Sequence, residues 1–152
     1  MPEHYLNQPG WPCRQPGKAP TSKVGVIDPA SNELVGEVGV GRDPKAVTTS
    51  AGAVWVVNEE EETVSRIDPA DLEASEFTIG LPGFPSDITF GDGSILVALG
   101  ALGELVRINP EQNQAGSSFP ALGDEDTACG RPQASVAFGG GVAWFVCEVG
   151  EI

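Results

Sequence analysis

The chain has 152 residues, enough for one ordinary domain with its own core, so neither disulfides nor a metal ion is needed to explain folding. Its 22 acidic and 8 basic residues give a formal charge of −14, which argues against nucleic acid or an anionic membrane surface as a partner, since both are bound through clustered Lys and Arg. With 20 Gly, 13 Pro and only 20% charged residues, the composition is typical of short strands joined by tight turns.

The first 22 residues show no regular pattern and are predicted to be an irregular N-terminal segment. The opening MPEHYLNQPGWPCRQPGKAP carries Pro, Glu, His and Arg where a signal peptide needs an uninterrupted apolar run, so no signal peptide is predicted in this chain. No apolar stretch approaches the roughly 18 residues that a membrane-spanning helix needs, and direct membrane insertion is not expected.

From residue 23 onward the sequence repeats with a period of about 40 residues. The tripeptide IDP at 27–29 returns as IDP at 67–69 and as INP at 108–110, at spacings of 40 and 41. The strand AVWVV recurs as SILVA and VAWFV, and an insertion around 123–130 lengthens the last interval. Three landmarks that share one period indicate a repeat architecture, which favours this reading over a sandwich or a solenoid with accidental periodicity.

Each period is predicted to contain four antiparallel strands, the second period having them at 45–49, 54–57, 63–67 and near 77–79. The Asp-Pro pair supplies the turn between the third and fourth strands, because Asp or Asn accepts from the backbone and Pro fixes φ. Four such strands in about 40 residues are typical of β-propeller blades. The predicted fold is therefore all-β, with residues 23–152 forming an incomplete β-propeller domain of about three blade-equivalents.

The segment VWVVNEEEETVSRIDPADLEASEFTIGLPGFP resembles the YVTN-type β-propeller repeat, and the resemblance extends over residues 23–152. Members of that group, which includes proteins similar to virginiamycin B lyase, are implied to be toroids of about seven blades. The resemblance implies a fold more than a function, because propellers carry many unrelated activities.

The phase of the repeat predicts that the chain opens with strands three and four of one blade, continues with two full blades, and closes with strands one and two of another. Three blade-equivalents cannot close a ring of ordinary size, so open strand edges are expected. Two readings follow, a fragment of a larger toroid or a homodimer in which two copies complete a six-bladed ring through their open blade edges. In either case we expect the isolated chain to self-associate.

Several large apolar side chains are predicted to pack blade against blade. Trp55, Leu96 and Trp144 occupy one repeat position in the second strand, and Phe90 and Phe138 occupy another in the first. These five are interpreted as core residues.

The order of strands places the loop after strand two on the same face as the link between blades. The acidic run NEEEE is the tip of a hairpin on that face, interpreted either as a solvated charged loop or as part of a surface that attracts a cation or a basic partner. No catalytic residue is assigned. The candidate binding residues are Arg42, Asp43, Asn58, Glu59, Glu60, Glu61, Glu62, Phe84, Asp124, Glu125, Asp126 and Arg131.

Two of the three cysteines are predicted to lie at the same end of an antiparallel strand pair. Cys129 comes just before the first strand of the last blade and Cys147 ends the second, so they form either a disulfide or two unrelated buried thiols. A disulfide would indicate an oxidising, extracytoplasmic or secreted location. Cys13 has no predicted partner.

Two function classes are compatible with these features. The first is a non-catalytic propeller module that binds or senses a small molecule or a protein. The second is a metal-assisted lyase similar to virginiamycin B lyase, which is less well supported because the single histidine, His4, lies outside the repeat. No cofactor is predicted; a divalent cation is compatible with the acidic loop, but no segment has the D-x-[DN]-x-[DN]-G calcium spacing, so no dedicated metal site is predicted.

Overall fold

A computed structural model describes residues 22–50, 52–74, 78–123 and 129–149. The predicted irregular segment therefore lies almost wholly outside the described residues. Within them the chain forms thirteen strands and one 3₁₀ turn at Gly100–Leu102. The strands are β1 Ser22–Asp28, β2 Glu33–Val40, β3 Pro44–Ser50, β4 Ala53–Asn58, β5 Thr63–Asp68, β6 Glu73–Ala74, β7 Ile79–Gly80, β8 Asp87–Gly91, β9 Ser94–Leu99, β10 Glu104–Asn109, β11 Gln114–Pro120, β12 Cys129–Gly139 and β13 Val142–Val149.

These strands form four antiparallel units in chain order, which confirms the predicted blades and their phase. Blade A is the pair β1–β2, blade B contains β3 to β7, blade C contains β8 to β11, and blade D is the pair β12–β13. Blades B and C hold complete sets, whereas A has the strands that correspond to three and four, and D those that correspond to one and two. The outer strand of blade B, predicted near 77–79, is described in two parts: β6 pairs with the end of β5 and β7 with its beginning.

The turns between third and fourth strands repeat the same hydrogen bond three times. The carboxylate of Asp28 accepts from the Ala30 amide at 2.8 Å, and that of Asp68 from the Ala70 amide at 2.9 Å. The amide oxygen of Asn109 accepts from Glu111 at 2.9 Å. A short polar side chain before Pro therefore closes each turn, as the sequence pattern predicts.

The core lies between blades, because alternate side chains of each strand point to opposite neighbours. In blade B, Trp55 and Val57 pack toward blade C, while Val56 and Ile67 pack toward blade A. Three clusters result. They centre on Val38, Val56 and Ile67 between A and B; on Trp55, Val64, Ile88, Val97, Val106 and Ile108 between B and C; and on Leu96, Leu105, Ala134 and Val136 between C and D.

The aromatic core prediction is confirmed except at one position. Trp55 is 1% exposed and Leu96 is also buried, while Phe90 and Phe138 are half-buried against the interblade clusters. The prediction that Trp144 is a core residue is wrong for the described chain, because its side chain is 65% exposed. Trp144 points to the side of blade D on which no described blade packs.

Polar groups of blade C also hold the inner strand of blade D. The Ser86 hydroxyl donates to the Ala134 carbonyl at 2.8 Å, and the Asp87 carboxylate accepts from the Val136 amide at 2.9 Å. These bonds satisfy backbone groups on the edge of β12 that has no strand partner among the described residues. Side chains of one blade thus partly blunt the free edge of the next.

The predicted disulfide is confirmed. Cys129 and Cys147 are bonded, with their Cα atoms 5.7 Å apart. The bond joins the start of β12 to the end of β13 and so closes the open end of the blade D hairpin. It is compatible with an extracytoplasmic location.

Ile108 is fully buried between blades B and C, so the loss of stability should increase with the number of atoms removed from its side chain. We expect Ile108→Ala to lower the free energy of unfolding by about 2–5 kcal/mol, and Ile108→Val by about 0.5–1.5 kcal/mol, because the lost contacts and the cavity scale with the deleted atoms. Urea unfolding followed by tryptophan fluorescence measures both. Equal, small effects of the two variants would contradict a close-packed interface.

The disulfide closes a segment of 18 residues, so its loss is expected to lower the free energy of unfolding by about 3 kcal/mol through the greater freedom of the unfolded chain. Thermal unfolding with and without reductant measures this for the unaltered protein. The Cys147→Ala variant is the control, since its stability should not respond to reductant. A reductant effect of equal size in that variant would assign the response to another group.

Candidate functional site

The loops that were predicted to share one face do meet there. The Glu59 amide donates to the Asp43 carbonyl at 2.9 Å, and the Leu81 amide donates to the Glu62 carbonyl at 2.8 Å. Farther along, the Ala121 amide donates to the Gly103 carbonyl at 3.0 Å. These bonds join the loop after strand two to the links that precede and follow each blade. We call this surface, described at residues 39–43, 58–62, 80–84, 99–103 and 121–123, the loop face.

The acidic run forms a tight turn between β4 and β5. The Glu62 amide donates to the Glu59 carbonyl at 3.1 Å, and Glu62 has a left-handed φ of 52°. Asn58 and Thr63 are paired at the base of the turn. The four glutamates therefore occupy fixed positions at a hairpin tip, as the sequence predicts.

Two basic side chains, one from the preceding link and one from the start of β3, contact three of these glutamates. Arg42 contacts Glu60 at 3.1 Å and Glu61 at 3.2 Å. Lys45 contacts Glu59 at 2.8 Å and Asp43 at 3.0 Å. Such exposed pairs contribute little to stability, so their main effect is to orient the carboxylates.

The charge of this cluster remains negative after pairing. Two basic residues and five acidic ones, from Arg42 to Lys45 and from Glu59 to Glu62, leave a net charge of −3. The hydrogen bonds that Lys45 donates to Glu59 and to Asp43 raise the pKa of Lys45 above its ordinary value of 10.5. Lys45 therefore stays protonated where it bridges the two carboxylates.

A buried amide supports the turn from below. Asn58 is fully buried, and its Nδ2 donates to Ser65 Oγ at 2.9 Å and to Thr63 Oγ1 at 3.2 Å. Its Oδ1 has no hydrogen-bond partner among the described protein atoms. Gly41 packs over this amide so closely that a Cβ there would come within 2.6 Å of Asn58 and of the Glu61 carboxylate. Asn58 thus lies beneath the surface cluster.

A cleft of about 340 Å³ opens beside the turn, lined by Asp43, Glu59, Glu60 and Phe84. The Phe84 side chain comes from the link between blades B and C and is 52% exposed. Three acidic residues and an accessible aromatic residue therefore line the same cleft. This combination suits a cationic group, which gains from both the negative charge and the face of the ring.

The predicted site residues divide into three groups. Arg42, Asp43, Glu59, Glu60, Glu61 and Phe84 lie at or beside the cleft, whereas Asn58 is buried and the Glu62 backbone ties the turn to Leu81. Asp124, Glu125 and Asp126 lie outside the described residues, as does the side chain of Arg131. Sequence reasoning missed Lys45, which was treated only as a strand residue although it lies two positions from Asp43.

A second, polar depression of about 450 Å³ lies on the side of blade C opposite the loop face. Arg107, Asn109, Gln112 and Gln114 line it together with Ser94, whose hydroxyl accepts from Arg107 at 3.2 Å. The sequence pattern did not single out these residues.

Two kinds of feature are absent from the described part of the chain. No three His, Cys, Asp or Glu side chains in it are grouped closely enough to hold a metal ion. None of its helices is long and apolar enough to cross a membrane.

Comparison with known proteins gives structural neighbours only. No protein-family model and no curated protein sequence matches the chain, so the YVTN-type repeat is not confirmed by a family model. Hydrazine synthase from Kuenenia stuttgartiensis has a TM-score of 0.63 at 19% identity, with 85% of this chain and 42% of that chain covered.

Two further neighbours are more distant. Apo AztD from Citrobacter koseri has a TM-score of 0.57 at 13% identity, with 68% of this chain and 30% of that chain covered. Virginiamycin B lyase from Staphylococcus aureus has a TM-score of 0.52 at 22% identity, with 68% and 34% covered. These similarities support the propeller fold alone, and the chain spans less than half the length of each of these three neighbours.

The ion pairs of Lys45 predict that its pKa depends on Glu59. Glu59→Gln should lower the pKa of Lys45 toward 10.5, because it removes the larger of the two stabilising hydrogen bonds. Since the folded pKa is raised, the stabilisation from Lys45 is present below the unfolded pKa and is lost as the pH rises through the folded pKa. NMR titration of the lysine side chains reports the midpoint. Glu104→Gln, a change on another blade, is the control, and equal midpoints in both variants would contradict the bridge.

Proposed function

We propose that this chain is a non-catalytic binding module whose loop-face cleft receives a cationic group of a small molecule or of a partner protein. The observation that carries the proposal is the cleft itself, which three acidic residues, Asp43, Glu59 and Glu60, line together with the exposed Phe84. We also propose that its blades belong to the YVTN-type repeat group.

The cluster is arranged so that an incoming cation can compete for its carboxylates. Arg42 and Lys45 are both substantially exposed, and the energy of each of their ion pairs is small. A ligand ammonium group could replace one of these contacts at little cost and would also gain about 0.5–1 kcal/mol or more from the face of Phe84. The charge of −14 on the whole chain would speed the approach of a cationic partner at low ionic strength.

The alternative function, a lyase similar to virginiamycin B lyase, has no comparable support from the described side chains. Its basis is a fold similarity at 22% identity. That level of similarity concerns the scaffold, on which unrelated activities occur.

An extracytoplasmic or secreted location is part of the proposal. The Cys129–Cys147 disulfide supports it, because such bonds persist in oxidising compartments. A binding module exposed there would meet soluble ligands or the surfaces of other exported proteins.

The test is calorimetric titration with two probes, tetramethylammonium chloride and a pentalysine peptide. We expect Phe84→Ala and Glu60→Gln each to weaken binding of the peptide by about 2–5-fold, which corresponds to one exposed cation–π contact or one exposed ion pair. Binding should also weaken as salt is raised. Glu33→Gln, on an exposed strand of blade A, is the matched control for loss of one negative charge.

A titration with calcium chloride separates an organic cation from a metal ion. If the acidic turn is a metal site, replacement of Glu59, Glu60, Glu61 and Glu62 by Gln will abolish a calcium signal that the unaltered protein shows. If neither probe nor calcium binds, or if Glu33→Gln has the same effect as Glu60→Gln, the cleft is not the binding site and the turn is only a solvated loop.

A further inference from the structure

The two half-blades leave apolar faces at opposite ends of the row of blades. On blade D, Val142, Trp144 and Val146 alternate along β13 and are all more than half exposed. At the other end, Ile27 of β1 and Val47 of β3 are equally exposed. Isolated apolar residues on a surface are ordinary, but three in alternation along one strand mark a face that is suited to packing.

The interface between blades B and C shows what such a face requires. In the hairpin register, Ala53, Trp55 and Val57 correspond to Val142, Trp144 and Val146. All three are buried against the next blade, in a cluster that includes Ile88 of β8. Ile88 corresponds to Val47 in β3. The two sides of one interblade interface are therefore exposed at opposite ends of the row of blades, with Val142, Trp144 and Val146 at one end and Val47 at the other.

The strands of blades A and D are also complementary. Blade D has strands one and two but no described third strand beside β13, and blade A has strands three and four but no described second strand beside β1. In blades B and C, strand two pairs with strand three in a constant register, with Trp55 opposite Arg66 and Leu96 opposite Arg107. Carried over by the repeat, this register places Trp144 opposite Val26 and Ala143 opposite Ile27.

We propose that a second copy of this chain occupies the open face of blade D. Its β1 pairs with β13 to complete a four-stranded blade, and its Val47 covers Val142, Trp144 and Val146. The repetition of the contact at the other end gives a closed ring of six blades from two copies, within the range of about four to eight blades that propellers form. A head-to-tail contact closes in this way only when its rotation fits the ring, and otherwise produces open chains of copies.

Sedimentation equilibrium of the 152-residue chain tests the assembly. We expect a mass of about twice 15.8 kDa at micromolar concentration, with no larger species. Trp144→Ser should convert the dimer to a folded monomer, because the side chain has little packing to lose within its own chain. Phe84→Ala, which removes an exposed aromatic side chain from the loop face, should leave the dimer intact.

Cross-linking tests the register. Chains carrying Ile27→Cys are mixed with chains carrying Ala143→Cys, oxidised, and mapped by mass spectrometry so that bonds to native cysteines are recognised. We expect a 27–143 cross-link between copies and at least a ten-fold lower yield when Val26→Cys replaces Ile27→Cys, because neighbouring residues point to opposite faces.

Three results would overturn the proposal. A monomer at high concentration would mean that a second copy does not cover blade D. A ladder of growing oligomers would mean that the contact does not close on two copies. A dimer that survives Trp144→Ser, or that cross-links through residue 26 as readily as through residue 27, would place the interface elsewhere. A circular dichroism spectrum like that of the unaltered protein shows that each variant has folded.

Discussion

The structure depends on the alternation of side chains along each strand, combined with burial on both faces of a blade. A blade of two to four short strands has no interior, so its apolar side chains can leave water only by packing against the blades beside it. Trp55 and Val56 are adjacent in sequence yet belong to different clusters. A shift of one residue in register would turn each of these side chains to the opposite face of the blade. The register of strand pairing is therefore strongly specified.

The loop-face cleft is a product of the same constraint. Interblade packing fixes where β4 ends and β5 begins, and the intervening turn then holds four glutamates in one short tip. The link before β3 passes the same point and carries Arg42 and Asp43, and Lys45 follows at the start of β3. Phe84 arrives from the following link, so the cleft combines parts of the chain about 40 residues apart whose positions are set by the core and not by their own interactions.

Sequence periodicity was enough to predict the blades, their phase and the placement of Cys129 and Cys147 at one end of a strand pair, because each depends on local turn chemistry and strand order. It left open whether the two cysteines are bonded. It was not enough for Trp144, since burial of that residue requires a neighbouring blade and the pattern describes only the strand. Lys45 was missed because its partners Asp43 and Glu59 meet it only after β3 and β4 have paired.

The placement of the disulfide has a consequence for local opening. Among the described residues, each half-blade packs against a neighbour on one face only, so both ends of the row have fewer buried contacts than the centre. Blade D has the Cys129–Cys147 disulfide and forms hydrogen bonds with the side chains of Ser86 and Asp87. Among the described residues, blade A is held to blade B chiefly by the cluster around Val38. Amide hydrogens of β1 and β2 would then exchange with solvent earlier than those of β12 and β13 whenever the end faces are free, and the chain would unravel from its N-terminal side first.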